Sequence, residues 1–105
     1  MEKRQALMAY YAESIALAIA DLQRETATLA EIMQEKQAAN NAGWNLKYFR
    51  IDGRELTIPE AVHNVTIASE VLEKAQQNLE RIRFAPDDEV EKTFNFYVLV
   101  GVVAE

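Results

Sequence analysis

The sequence predicts an α+β fold in the order α-β-β-α-β, two long helices packed with a small three-stranded antiparallel sheet. Three observations carry this. Two long stretches, about Glu2–Gln37 and Ile58–Phe84, repeat apolar residues at helical spacing. Between them, "WNLKYFRIDGRELTI" has Asp52-Gly53 at its middle, the preferred pair for a two-residue type I′ hairpin turn. After them, "FNFYVLVGVVAE" is dominated by Phe, Tyr and Val, which favour strands. The expected elements are a helix over 2–38, a hairpin over 44–58, a helix over 58–84 and a C-terminal strand over 93–103. All fall in a single domain, 1–105.

The first helix shows two rows of sevenfold spacing. Met8, Ile15, Leu22 and Leu29 form one row, and Tyr11, Ala18 and Ile32 a second, in which Glu25 takes the remaining place. That charge makes the heptad imperfect and argues against a long isolated coiled coil. "AANNAG", Ala38 to Gly43, supplies the stop, because Asn and Gly suit left-handed capping geometry.

The Asp52-Gly53 turn fixes the hairpin register. Ile51 falls opposite Arg54, Arg50 opposite Glu55 and Phe49 opposite Leu56. Alternation then puts Phe49, Ile51, Leu56 and Ile58 on one face, and Trp44, Leu46, Tyr48 and Arg50 on the other. The second helix opens on "TIPE": Thr57 caps it, Glu60 completes a capping box, and Pro59 sits in the first turn where it is tolerated. Ala61, Val65, Ala68, Leu72, Ala75, Leu79 and Ile82 follow in a regular seam, and Pro86 ends the helix. "PDDE" reads as an acidic turn.

Two features point to self-association. About 36 residues of helix would be roughly 54 Å long, well beyond the diameter of a compact chain of this size. Read as a strand, the C-terminal run is apolar on both faces, with Phe96, Val98, Val100 and Val102 on one and Tyr97, Leu99, Gly101 and Val103 on the other. A second subunit is expected to cover Phe96, Val98, Val100 and Val102, together with Met8 and Ile15 on the first helix.

Composition excludes several classes. The formal charge of −6 disfavours duplex nucleic acid as a partner, because phosphate neutralisation needs clustered Lys and Arg. There is no cysteine, so disulfides, thiolate metal sites and cysteine nucleophiles are excluded. The nine residues from Phe96 to Ala104 are far short of the about 20 that span a bilayer, so no membrane association is expected. Glu13 and Ser14 interrupt the apolar stretch near the N-terminus, which argues against a secretory leader and for a cytoplasmic location. The three glycines are widely separated, so no phosphate-binding loop is present.

Candidate chemistry is sparse. His63 is the single histidine, and Ser69 lies six residues on and faces another direction, so no catalytic dyad is implied. Glu31 with Glu35, and Glu70 with Glu73, share helix faces and would hold a divalent metal only if brought together, a remote route to a metal-dependent phosphohydrolase. Interleaved lysines and arginines make them ordinary solvated faces. No metal, cofactor or catalytic residue is therefore expected. The remaining signal is the outer hairpin face, where Trp44, Tyr48 and Arg50, with Lys47 and Arg54 close by, combine residue types that dominate binding hot spots. The expected function is that of a small non-enzymatic regulatory protein, an inhibitor or adaptor of phage or accessory type by analogy of size. It would self-associate and act by protein–protein contact. The alternative is an oligomer that sequesters a small anionic ligand such as a nucleotide on the same residues.

Overall fold

A computed structural model describes residues 2–104. It contains helix α1 (Lys3–Asn41), strands β1 (Phe49–Ile51) and β2 (Arg54–Leu56), helix α2 (Ile58–Phe84) and helix α3 (Asp87–Leu99). The chain divides into two compact units, Met1–Ala18 with Leu72–Glu105, and Ile19–Val71.

The expected C-terminal strand over 93–103 is not formed: 93–99 belong to α3 and 100–103 are a turn. The chain is therefore mostly helical, with three helices rather than two and a sheet of two strands rather than three. Physical reasons for α3 lie in its own residues. Pro86 precedes it in extended geometry (φ −61°, ψ 153°), and Asp87, Asp88 and Glu89 occupy the first turn. There their charges meet the free amides and the positive end of the helix dipole. Val90, Phe94, Tyr97 and Val98 then recur at i, i+4, i+7 and i+8, one face of a helix. Strand propensity lost to this pattern because the face has something to bury against.

That something is the core of the unit formed by the chain ends. Val90 and Phe94 pack with Leu7 and Tyr11 of α1 and with Ile82 and Ala85 at the end of α2, while Tyr97, Val98 and Met8 flank them. Leu7 and Ile82 are fully buried. Arg4 closes the α2–α3 connection: its Nη1 donates to the Ile82 carbonyl at 2.7 Å and its Nη2 to Asp87 Oδ1 at 2.8 Å. One side chain thus satisfies a carbonyl in the last turn of α2 and pairs with the first residue of α3. Lys3 adds an exposed pair with Glu91 at 3.3 Å and lies 5.6 Å from the centroid of the Phe94 ring.

Gly101 has a role different from the close packing a strand would give it. Its φ is +78°, its amide donates to the Val98 carbonyl at 3.0 Å, and the Val102 amide donates to Tyr97 at 2.9 Å. This pair of bonds is the Schellman stop of α3. A Cβ at Gly101 would meet nothing, so the backbone angle, not crowding, accounts for glycine. The end of α1 repeats the device, with Gly43 at φ +82°, its amide bonded to Asn40 and the Trp44 amide to Ala39 at 2.8 Å.

The unit Ile19–Val71 is built on the hairpin. β1 and β2 pair antiparallel with Phe49 opposite Leu56, Arg50 opposite Glu55 and Ile51 opposite Arg54, the register that Asp52-Gly53 dictates. Both turn residues have positive φ, 50° and 78°. Phe49, Ile51 and Leu56 are buried and cluster with Ile32 of α1 and Ala61 of α2. The capping box joins hairpin to helix: the Thr57 amide donates to Glu60 Oε1 at 3.0 Å, and the Glu60 amide to Thr57 Oγ1 at 3.3 Å. Replacing such a cap by alanine costs about 1 kcal/mol.

Burial along the long helices follows the sevenfold rows. Tyr11, Ala18, Glu25 and Ile32 are the buried row of α1, and Ala61, Ala68, Ala75 and Ile82 that of α2. Met8, Ile15, Leu22 and Leu29 are half-buried. The irregular member, Glu25, is therefore a core position.

Candidate functional site

The hairpin unit brings together most of the residues singled out by the sequence. After the Schellman stop of α1, residues Trp44 to Tyr48 are neither helix nor strand and lead into β1. Lys36 holds this segment: its Nζ donates to Asn45 Oδ1 at 2.9 Å and to the Leu46 carbonyl at 3.0 Å. Trp44 is 67% exposed and Tyr48 64% exposed, so both aromatic side chains face solvent from a tethered segment. Arg50 and Lys47 are exposed as well.

Beyond Phe49–Leu56 the ladder stops, because Thr57 caps α2 and Pro59 has no amide to donate to a neighbouring strand. The chain on the two sides of the hairpin therefore separates. The resulting trough, about 380 Å³, is lined by Leu46, Lys47 and Tyr48 on one side, by Thr57, Ile58 and Pro59 on the other, and by Lys36. Its walls are mainly apolar with two cations.

Arg54 does not join this surface. It pairs with Ile51 and therefore shares the inner face, where Nη1 meets Glu25 Oε1 at 3.1 Å and Nη2 lies 3.5 Å from Thr28 Oγ1. Glu25 is only 5% exposed and Thr28 is buried beside it. Thr28 Oγ1 donates to the Arg24 carbonyl at 3.0 Å, and Arg24 Nη2 also donates to Glu25 Oε1 at 3.4 Å. Every buried side-chain polar atom among the described residues has a partner. The alternation of β2 already assigned Arg54 to the face of Leu56, and the odd member of the heptad already marked Glu25. Joining those two signals would have predicted the pair.

Compared with protein-family models, curated proteins and solved structures, the chain matches none. The site rests on its own geometry.

The C-terminal residues form a second surface, on α3. As a helix, it regroups the residues that a strand would align. Phe96, Leu99 and Val100 share the outer face at i, i+3 and i+4, and all three are exposed, Leu99 at 82%. Val98 points the other way and packs on the core with Met8, while Ile15 is half-buried. Val102, after the helix, is exposed. Phe96, Val100 and Val102 are thus open to a partner, and Leu99 joins them although strand alternation put it on the opposite face.

The carboxylates Glu31, Glu35, Glu70 and Glu73 are exposed on their helices. Among the described residues no group of three or more His, Cys, Asp or Glu is placed to hold a metal ion. His63 is exposed on α2 beside Asn64, at an open groove that also touches Asp21, Glu25 and Arg54. No described helix is long and apolar enough to cross a membrane.

Tyr11 is a strongly perturbed acid. Burial, with the Tyr97 hydroxyl 2.8 Å away, pushes its phenol well above the usual tyrosine range, while Arg81 opposes the shift. It sits inside the aromatic core, with Tyr10 and Tyr97 rings at centroid distances of 5.4 and 6.0 Å, and serves packing.

Proposed function

We propose that this is a small non-enzymatic, cytoplasmic protein of inhibitor or adaptor type, which acts by protein–protein contact and associates with copies of itself. The observation that carries the reading is the pair Trp44 and Tyr48, exposed on a segment that Lys36 holds in place. Aromatic anchors presented on a tethered backbone lose little freedom on binding, and such anchors supply most of the energy of an interface. The outer face of α3, with Phe96, Leu99 and Val100, is the surface for a second copy.

Binding is tested by proximity labelling and purification of the specific partner, with Trp44→Ala and Tyr48→Ala as paired variants. The partner is expected to be lost from both variants while their melting temperatures stay unchanged. Self-association is tested by light scattering of the wild type and of Leu99→Glu. A monomeric wild type at micromolar concentration overturns that part of the reading.

The two lysines at the trough favour a second reading, capture of a small anionic ligand such as a nucleotide. A large rise in melting temperature with one member of a nucleotide panel would select it, by mass action.

A further inference from the structure

We infer that the trough beside Tyr48 is a docking site for an acidic segment of a partner protein that carries an apolar anchor. The inference rests on the protein-binding reading and supplies the chemistry of the partner.

Charge is the first argument. Lys3, Arg4, Arg24, Arg54 and Arg83 each have a carboxylate within ion-pair distance. Lys36 and Lys47, like Arg50, Lys74, Arg81 and Lys92, have none among the described residues, but these two line one trough, where Lys36 bonds only to the neutral oxygens of Asn45 and Leu46. Glu60, next to Pro59 of the trough wall, is engaged by the Thr57 amide, and Glu35, next to Lys36, is exposed. Two uncompensated cations side by side in a chain of net charge −6 select an anionic occupant at this place.

Shape and lining make that occupant a polypeptide. Leu46, Tyr48, Ile58 and Pro59 offer apolar walls, but the site is an open trough that would leave much of a small molecule in water. Trp44, two residues before Leu46 of the trough wall, is exposed as well and gives an extended segment more to cover. Among the described residues no backbone amide from Asn45 to Tyr48 is bonded to another backbone group. Leu46, Lys47 and Tyr48 line the trough, so their amides are candidates for a peptide main chain, as in recognition by added strands.

A second copy does not supply the occupant. The chain's own acidic stretch is committed elsewhere, with Asp87 held by Arg4, Glu91 by Lys3, and Val90 buried between them in sequence.

The test is a fluorescence titration of the single tryptophan, Trp44, with two capped hexapeptide probes, Glu-Glu-Leu-Leu-Glu-Glu and Lys-Lys-Leu-Leu-Lys-Lys, and with ATP. The acidic probe is expected to saturate and the basic probe to give no saturable signal. Lys47→Gln should weaken the acidic probe about threefold, and Lys36→Gln with Lys47→Gln about tenfold, as expected for exposed ion pairs. Because Lys36 also holds the Leu46 carbonyl, Lys47→Gln alone is the variant that tests charge without disturbing the segment. Equal affinity for both peptides, or no loss in Lys47→Gln, overturns the proposal. Saturation by ATP without the acidic probe overturns it in favour of a small anion. If the acidic probe fails while a purified partner is still lost in Trp44→Ala, the trough is wrong and the protein-binding reading stands. Loss of neither the probe nor the partner in any variant overturns both.

Discussion

The two units use charge in opposite places. In the unit of the chain ends, the charged groups ring an aromatic and aliphatic core: Asp87 is fully exposed in its pair with Arg4, and Lys3 and Glu91 are both exposed. In Ile19–Val71 a carboxylate occupies the buried row itself, where Glu25 follows Tyr11 and Ala18 and precedes Ile32 at sevenfold spacing. A charge at a core position is costly unless it is paired and hydrogen-bonded, and here Arg54 and Arg24 both donate to it while Thr28 accepts from Arg54. The difference teaches what each unit needs. Three helices with broad apolar faces find their arrangement by packing. A two-stranded hairpin is marginal alone, and the Arg54–Glu25 pair fixes which way it lies on α1.

The largest expected effects fall on both cores alike and set the scale. Ile82→Ala in one unit and Ile32→Ala in the other should each cost about 2–5 kcal/mol, since both side chains are fully buried. Urea unfolding measures this, and a cost below about 1 kcal/mol at either residue would mean that the corresponding core is not packed as described.

Glu25 tests the contrast directly. Glu25→Ala should cost about 2–3 kcal/mol, less than the about 3–5 kcal/mol of a fully buried broken pair, because Arg54 at 38% side-chain exposure can turn to water. Glu25→Leu should recover most of that loss by filling the apolar row. Amide exchange should nonetheless quicken in β1 and β2 of Glu25→Leu, because the hairpin has lost its anchor. If Glu25→Ala costs no more than Glu80→Ala, whose carboxylate belongs to an exposed pair with Arg83, the two units do not differ in the way argued.

Arg4 is the corresponding group at the rim. Arg4→Ala should cost about 1–2 kcal/mol through the Ile82 carbonyl and Asp87, and Arg4→Lys should restore only part, because a single ammonium reaches fewer acceptors than the guanidinium fork. Full rescue by lysine would show that charge alone, without the fork, holds the α2–α3 connection.

Legibility in the sequence divided along a physical line. Local chemistry was readable: Asp52-Gly53 gave the register, Thr57 and Glu60 the capping box, and Gly43 the end of α1. The C-terminal segment was misread because Phe, Tyr and Val have strand propensity, a weak preference that packing overrides. Yet Pro86, the acidic first turn and Gly101 at the far end were all helix signals present in the same residues. In the sequence alone the aromatic and β-branched composition outweighs them, because the helical face of Val90 and Phe94 has no visible partner until Leu7, Tyr11 and Ile82 pack against it. At the trough, Trp44, Lys47 and Tyr48 were legible as residue types. Lys36 and the wall of Thr57, Ile58 and Pro59 were not, because only folding brings α1 and the start of α2 beside them.

The smallest effect at neutral pH, and the most specific in alkali, belongs to Tyr11. Its phenol is buried and bonded to Tyr97, so Tyr11→Phe should cost about 1 kcal/mol, the ordinary worth of a hydrogen bond. The pH dependence is more informative. The folded phenol titrates above its unfolded value of about 10, so the folded state holds the proton more firmly. That contribution is constant below about pH 10, and stability should fall as the pH rises beyond it, where the unfolded chain gives up the proton first. Unfolding by urea across that range, in wild type and in Tyr11→Phe, separates this group from the lysines that titrate in the same region. The wild-type curve should drop more steeply and cross below that of Tyr11→Phe in strong alkali, where the buried phenol must ionise or the chain unfold. Parallel curves would show that Tyr11 is hydrated, and that the aromatic core of this unit is looser than its packing implies.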